Sequence, residues 1–159
     1  MATITYRESR NLEKSLLDFI TNELLVATPP WKDFVVEKAF SKITDSSVPA
    51  ILVQMIPTEH IPKECGSTAT RKFYTVFIRI FAEDDGQRLD MKDWLCDILE
   101  PGIDYYTYTI TDNQTLKECS GKISIKITTD RKELENVEGL AAKDRYRHLI
   151  GLRVSINEA

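Results

Sequence analysis

Glycine, cysteine and histidine are scarce in this chain, at six, three and two residues among 159. The dispersed glycines form no phosphate-cradling loop and no nucleophile elbow. Cys65, Cys96 and Cys119 lack metal-ligand spacing, and an odd count without a framework points to free thiols in a reducing compartment. His60 and His148 lie far apart, which excludes the His-Glu-x-x-His pattern. No apolar run approaches membrane-spanning length, so no membrane is expected. The opening Met1-Ala2-Thr3-Ile4-Thr5-Tyr6 has no basic region followed by an apolar core, so no signal peptide is expected and synthesis in the cytosol is. No Lys/Arg tract offsets a formal net charge of -4, which disfavours a protein that grips phosphate backbones.

What remains is a chain with 42% hydrophobic and 29% charged residues, ordinary for a globular fold. Its length suits a single domain. The strongest pattern runs from Arg71 to Pro101. Tyr74, Val76, Ile78, Ile80 and Ala82 alternate with Phe73, Thr75, Phe77, Arg79 and Phe81, the signature of a strand covered on both faces. Asp84-Asp85-Gly86 reads as a turn. From Leu89 the period becomes helical, with Met91, Trp94, Leu95, Ile98 and Leu99 as the apolar stripe and Pro101-Gly102 as the stop. This helix is expected to cover the strand, with Trp94 in the core.

An earlier helix is expected over roughly Arg10 to Leu25, capped by Ser9 and ended by Thr28-Pro29-Pro30, with Leu12, Leu16, Leu17, Ile20 and Leu24 buried. Strands are expected at Phe34–Phe40 and, after a turn at Thr44–Ser47, at Pro49–Pro57. Tyr105–Thr111 and Lys122–Thr128 follow, separated by a turn at Asp112-Asn113-Gln114, and Tyr146–Ile156 is the last strand. The last puts Tyr146, His148, Ile150, Leu152, Val154 and Ile156 on one face and Arg147 and Arg153 on the other. The fold class is α+β: a mixed, mostly antiparallel sheet with two main helices packed on it, in a single domain. Residues 58–70 and 130–144 are expected as mobile loops, the second because charge dominates it.

Chemistry is thin in this pattern. His148, a lone strand histidine, reads as packed and hydrogen-bonded. Asp90, Asp93 and Asp97 share one side of the second helix and could converge on a divalent cation, but they read more simply as a solvated face, with Asp84 and Asp85 complementing the helix dipole. Tyr105, Tyr106 and Tyr108 read as strand residues, not base-stacking platforms. No cofactor is expected. Arginines that interrupt an apolar strand face, here Arg79, Arg147 and Arg153, could pair with acids of a partner.

The element order resembles that of the tail terminator and tail-completion proteins of long-tailed bacteriophages. The likeness is carried by the opening helix Leu12 to Leu24, the strand-turn-helix Phe73 to Leu99 and the final strand Tyr146 to Ile156, and it is one of pattern and length. It implies a structural subunit without catalysis that forms a ring, hexameric in that family, on the tail tube at the head-proximal end of the virion. Assembly would take place in the host cytoplasm. The implied partners are other copies of the chain, the tail-tube protein and a head-completion or connector protein, with DNA passing through the lumen. Candidate interface residues are Glu59, His60 and Lys63 in the first loop, Asp130, Arg131, Lys132 and Glu133 in the second, and Arg147 and Arg153 on the last strand. The alternatives are a head–tail joining adaptor of the same particle, and a small metal-dependent enzyme using Asp90, Asp93 and Asp97.

Overall fold

The computed structural model describes residues 3–26, 35–37, 49–62, 70–132 and 147–158. In chain order these form β1 (Ile4–Thr5), α1 (Glu8–Val26), β2 (Val35–Glu37), β3 (Ala50–Pro62), β4 (Thr70–Phe81), α2 (Asp85–Leu99), β5 (Ile103–Thr111), β6 (Gln114–Lys132) and β7 (Arg147–Glu158). The fold is α+β, with one seven-stranded sheet in the order β1-β5-β6-β7-β4-β3-β2. Only β2 and β3 run parallel; every other neighbouring pair is antiparallel. The C-terminal strand β7 therefore lies in the middle of the sheet, between β6 and β4.

Register sorts the side chains. Tyr74 is opposite Val154, Val76 opposite Leu152 and Ile78 opposite Ile150, while on the other flank of β4 Ile51 meets Ile80 and Val53 meets Ile78. Directly opposed residues share a face, so these form one apolar surface. Leu12, Leu16 and Ile20 of α1 and Met91, Leu95 and Leu99 of α2 pack on it, and all are fully buried. The opposite face holds a smaller cluster of Ala50, Leu52 and Phe81.

Helix α1 does more than cover this face. It lies along β5 and satisfies that strand's outer backbone groups with side chains. The Tyr108 N–H donates to Asn11 Oδ1 (3.1 Å), and Asn11 Nδ2 donates to the Tyr6 carbonyl (2.9 Å). One turn on, Ser15 Oγ accepts from the Tyr106 N–H (3.1 Å) and donates to the Tyr106 carbonyl (3.3 Å). Asn11 and Ser15 are both buried and stand in for a neighbouring strand, with β1 pairing only Thr109 and Ile110 beyond them. The Tyr108 hydroxyl donates to Asp18 (2.8 Å), and the Tyr74 hydroxyl donates to Glu8. Burial first, then the adjacent carboxylate, drives both phenol pKa values upward. Tyr105 and Tyr108, on opposite parities, are both buried because α1 covers the edge as well as the face.

Helix α2 starts at Asp85, four residues before the expected Leu89, because Asp84 is its N-cap and not part of a free turn. The Asp84 side chain accepts from the Gln87 N–H (2.8 Å), and Gln87 Oε1 accepts from the Glu83 N–H (2.7 Å), a reciprocal arrangement close to a capping box. The added turn brings Arg88 into line with Met91, Leu95 and Leu99 as the buried row. Trp94 and Ile98 flank that row and are partly buried against the core. The helix ends at Leu99 with Glu100 as its C-cap, and Gly102, at φ 86°, donates its N–H to the Leu99 carbonyl (3.0 Å). A Cβ on Gly102 would sit 2.8 Å from the Ile123 carbonyl oxygen, so both backbone and space require glycine there.

Several strands outrun their expected ends. Residues 58–62 and 70, expected as loop, belong to β3 and β4. The apparent boundary at Pro57 is a register shift between Ile56 and Glu59, where proline is tolerated because ladder pairing is interrupted. Strand β6 reaches Lys132, so Asp130, Arg131 and Lys132 are paired residues and not loop. Ser9 lies inside the first turn of α1, with Leu17 and Leu24 only partly buried and Leu25 exposed. The expected helix stop at Thr28-Pro29-Pro30, the turn at Thr44–Ser47, most of the strand at Phe34–Phe40, Tyr146, and the loop portions 63–69 and 133–144 lie outside the described residues.

Two measurements test this packing. Leu95→Ala should cost about 3 kcal/mol in urea unfolding and exceed the cost of Trp94→Ala. Asn11→Ala should cost about 2 kcal/mol, since it strands the Tyr108 amide and the Tyr6 carbonyl. A negligible loss from Asn11→Ala would mean that α1 does not serve as the edge of β5.

Candidate functional site

Among the described residues, a network of interacting polar side chains lies where α2 crosses the end of the β6–β7 pair. A bulge builds it. Ile127 is opposite Leu152 but Thr129 is opposite Gly151, leaving Thr128 as the extra residue. Simple alternation from Ile123, Ile125 and Ile127 would send Asp130 to the far face. The bulge reverses that parity, so Asp130 lies opposite Ile150 on the helix-covered face. Gly151 makes room: a Cβ there would come within 3.0 Å of Thr129, and its carbonyl accepts from Thr128 Oγ1 (3.2 Å).

On that face Asp130 Oδ1 lies 2.5 Å from His148 Nε2, and Asp130 Oδ2 lies 3.2 Å from Lys92 Nζ. Arg88 Nη1 is 2.6 Å from His148 Nδ1, while Arg88 Nε pairs with Asp85 at 3.0 Å. Lys132 reaches the same Asp85 oxygen at 3.7 Å, and Lys92 also contacts Asp93 at 3.2 Å. His148 and Arg88 are buried, at 3% and 7% exposure. Asp85, Arg88 and Lys92 descend from α2 at helical spacing, Asp130 and Lys132 come from β6, and His148 from β7.

Protonation in this cluster follows from donor chemistry. A guanidinium can only donate, so His148 Nδ1 must present its lone pair to Arg88. The ring proton then sits on Nε2 and is donated to Asp130. His148 is a neutral imidazole with both nitrogens occupied. Burial lowers its pKa below the ordinary 6.5 and the Arg88 charge adds to this, while the Asp130 hydrogen bond opposes the shift without reversing it. For Asp130, burial raises the pKa, but the hydrogen bonds from His148 and Lys92 outweigh it, and the carboxyl lies below its ordinary 3.8. Asp85 is lowered chiefly by the Arg88 hydrogen bond, and Lys92 is raised by Asp93 and Asp130. Cys96, half-buried on α2, has its thiol pushed up to about 11 by burial and then by Asp130, so it is protonated at neutral pH and a poor nucleophile. An imidazole engaged at both nitrogens has no free one with which to accept a substrate proton. The cluster joins α2 to β6 and β7.

The residues singled out from the sequence are scattered. Asp130 and Lys132 are in this cluster, and Arg131 is exposed on β6 opposite Leu149. Arg147 is buried at 2% exposure on the other face of the sheet, its guanidinium 5.7 Å from the Phe81 ring centre. Arg153 is half-buried, 4.1 Å from the Phe73 ring centre. Both thus meet aromatic rings of the neighbouring strand β4. Glu59 and His60 lie at the opposite end of the sheet, opposite Phe73 and Lys72, with His60 exposed. Lys63 and Glu133 are outside the described residues. Asp90, Asp93 and Asp97 are all exposed on α2, and among the described residues no group of three acidic, histidine or cysteine side chains is placed to hold a metal ion. Asp85, Arg88 and Lys92 were missed as a group, although their spacing is a helical one and Asp84-x-x-Gln87 was a legible cap.

A separate open cleft of about 300 Å³ lies between α1 and the β5–β6 hairpin, lined by Phe19, Glu23, Asp104, Tyr106, Lys117 and Lys122 among others. Within it Lys122 pairs with Asp104 at 2.6 Å and Lys117 sits 4.0 Å from the Tyr106 ring centre. No protein-family model matches this chain, and no curated protein matches it significantly.

Acidification should loosen the α2 cluster. The depressed pKa of His148 means that its neutral form stabilises the fold above the ordinary 6.5, and that this stability is lost as pH falls below 6.5. Asp130 acts with the same sign in a lower window, below 3.8. Between pH of about 7 and about 5, unfolding free energy should fall by at most about 1.4 kcal/mol per pH unit for the single proton involved. His148→Gln should flatten that slope. An unchanged slope in the variant would assign the pH dependence elsewhere.

Proposed function

We propose that this protein is a structural subunit of a bacteriophage tail, one that self-associates into a ring ending the tail tube and receiving the head. What supports this is the use made of its polar chemistry together with its shape. The His148 cluster secures helix to sheet with every ring nitrogen engaged. The hairpin β5–β6 meanwhile forms an arm that continues past the pairing with β7 at Gly121, with β1 and α1 along its β5 side. The observation that carries the proposal is this arm: residues 114–119 are exposed, Leu116 is 54% exposed, and strand pairing to β5 continues to the turn at Asp112-Asn113. A paired, projecting strand offers a preorganised contact surface at little ordering cost. The identification with tail assembly rests on the resemblance in element order, and the acidic balance suits a lumen through which DNA must pass without being trapped. A ring closes through head-to-tail contacts between two different surfaces of the subunit.

The test is genetic and visual. Without the gene, tail tubes should be of uncontrolled length or fail to join heads under negative-stain electron microscopy. The purified chain added back should form rings at the tube ends. Normal infectious particles in the absence of the gene would overturn the proposal.

A further inference from the structure

The outer edge of β5 is closed residue by residue, and the series stops one place short. Strand β1 pairs Ile110 and Thr109. The Tyr108 N–H donates to Asn11, and the Tyr108 carbonyl accepts from the Tyr6 N–H (3.0 Å). Tyr106 gives both of its outer groups to Ser15. Alternate residues of a strand turn their backbone N–H and carbonyl to the same edge, so Asp104 is next in line. Its side chain is held by Lys122, directly opposite in the register. Among the described residues no side chain or turn amide bonds its outward backbone groups. One helical turn beyond Ser15 stands Phe19, whose side chain has no polar atom. The cleft of about 300 Å³ opens at that place, with Phe19 and Glu23 on one wall and Ile103, Asp104 and Tyr106 on the other.

We propose that this cleft receives one residue of an extended peptide segment from another protein, its backbone paired with the N–H and carbonyl of Asp104. The series along the edge names the chemistry. At Tyr106 a single hydroxyl accepts from the N–H and donates to the carbonyl; at Tyr108 an amide oxygen does the first and a backbone N–H the second. A peptide residue supplies both from one unit, at the spacing of a sheet neighbour. The lane is the one that β1 opens opposite Ile110 and that α1 fills with side chains as far as Ser15. The charges argue against an anion in the same place. Lys122 is balanced by Asp104, Lys117 rests 4.0 Å from the Tyr106 ring centre, and half-buried Glu23 makes no ion pair among the described residues. The walls favour an apolar side chain on the incoming residue, since Phe19 is half-buried and Ile103 buried beside it.

The site does not depend on the tail proposal, and its test uses the free chain. In the isotope-labelled protein, the Asp104 amide should exchange with solvent much faster than the amides of Tyr106 and Tyr108. The probe is N-acetyl-leucine N-methylamide, one residue flanked by two amides. It should give saturable shifts at the Asp104 amide and the Phe19 ring in nuclear magnetic resonance spectra. N-acetyl-N-methyl-leucine N-methylamide has no leucine N–H to give the Asp104 carbonyl, and should bind about fivefold more weakly. Asn22→Trp, at an exposed position lining the cleft, should fill it and abolish the shifts with the circular dichroism unchanged. Glu23→Trp, from the same wall, is the second filling variant. An Asp104 amide as protected as that of Tyr106 would overturn the proposal. Such protection would assign the place to the chain itself, or to a second copy if it grew with protein concentration. Acetamide binding as tightly as the blocked leucine would make this a small-amide site and would also overturn it. So would shifts that persist in both folded filling variants, or affinity indifferent to the methylated nitrogen. Rings on tail tubes are read separately, so either proposal can fail without the other.

Discussion

A histidine in the middle strand of a sheet, under a helix, must have both ring nitrogens partnered where it stands. His148 meets that condition at 3% exposure with Arg88 on one nitrogen and Asp130 on the other. The unpartnered alternative would cost more than most single contacts contribute. Much of the local architecture follows from this requirement. Arg88 must lie on the buried row of α2, which places the helix start at Asp85, after the Asp84 cap. Asp130 must face the helix, which needs the bulge at Thr128. The bulge needs a residue without a side chain opposite it, and Gly151 is that residue.

Buried charge clusters of this kind are weak contributors to net stability, because desolvation offsets most of the attraction. Their effect here is on register. A strand with charge on one parity and isoleucine on the other has alternative pairings that differ little in apolar burial over its exposed length. Asp130 distinguishes them, since a one-residue slip would place a carboxylate away from His148 and Lys92 and leave Arg88 facing an unanchored ring. The cluster also ties together the two flanks of residues 133–146, through Lys132 on β6 and His148 on β7, both paired and both within reach of α2.

Hydrophobic alternation made β4, the core of β7 and the middle of β6 legible, and the helical period made both helices so, because burial imprints periodicity on the sequence. Where burial is absent the imprint is absent. Residues 114–119 of β6 are exposed and carry no apolar alternation, so Gln114 reads as part of the turn and no strand is expected over residues 115–121. Residues 130–132 read as loop because all three are charged: Asp130 and Lys132 meet charged residues of α2, and Arg131 is exposed on the other face. The early start of α2 was a different failure: Asp84-Asp85-Gly86 has turn composition, but Asp84 with Gln87 three residues later is a capping pattern, and the cap prevailed. Trp94 is expected in the core as a member of the apolar stripe, whereas large indoles are rarely fully buried, and this one lies at the margin of the core. The His148–Asp130 contact could not be read from parity at all, because one inserted residue inverts it.

The treatment of the β5–β6 arm shows how selectively this chain closes its edges. On the β5 side, two buried polar side chains from a helix, Asn11 and Ser15, bond the backbone groups of Tyr106 and Tyr108. That is a demanding solution. It needs an amide and a hydroxyl one helical turn apart, each at a position that an apolar residue would otherwise fill, and it constrains the approach of α1 along the strand. On the β6 side, β7 ends opposite Gly121 and the strand continues without it to the turn. Residues 114–119 are exposed and none of their side chains belongs to the buried cluster, whereas across the hairpin Tyr108, opposite Lys117, is buried. The β5 half of the arm therefore joins the hairpin to α1 and β1, while its β6 half adds no side chain to the core.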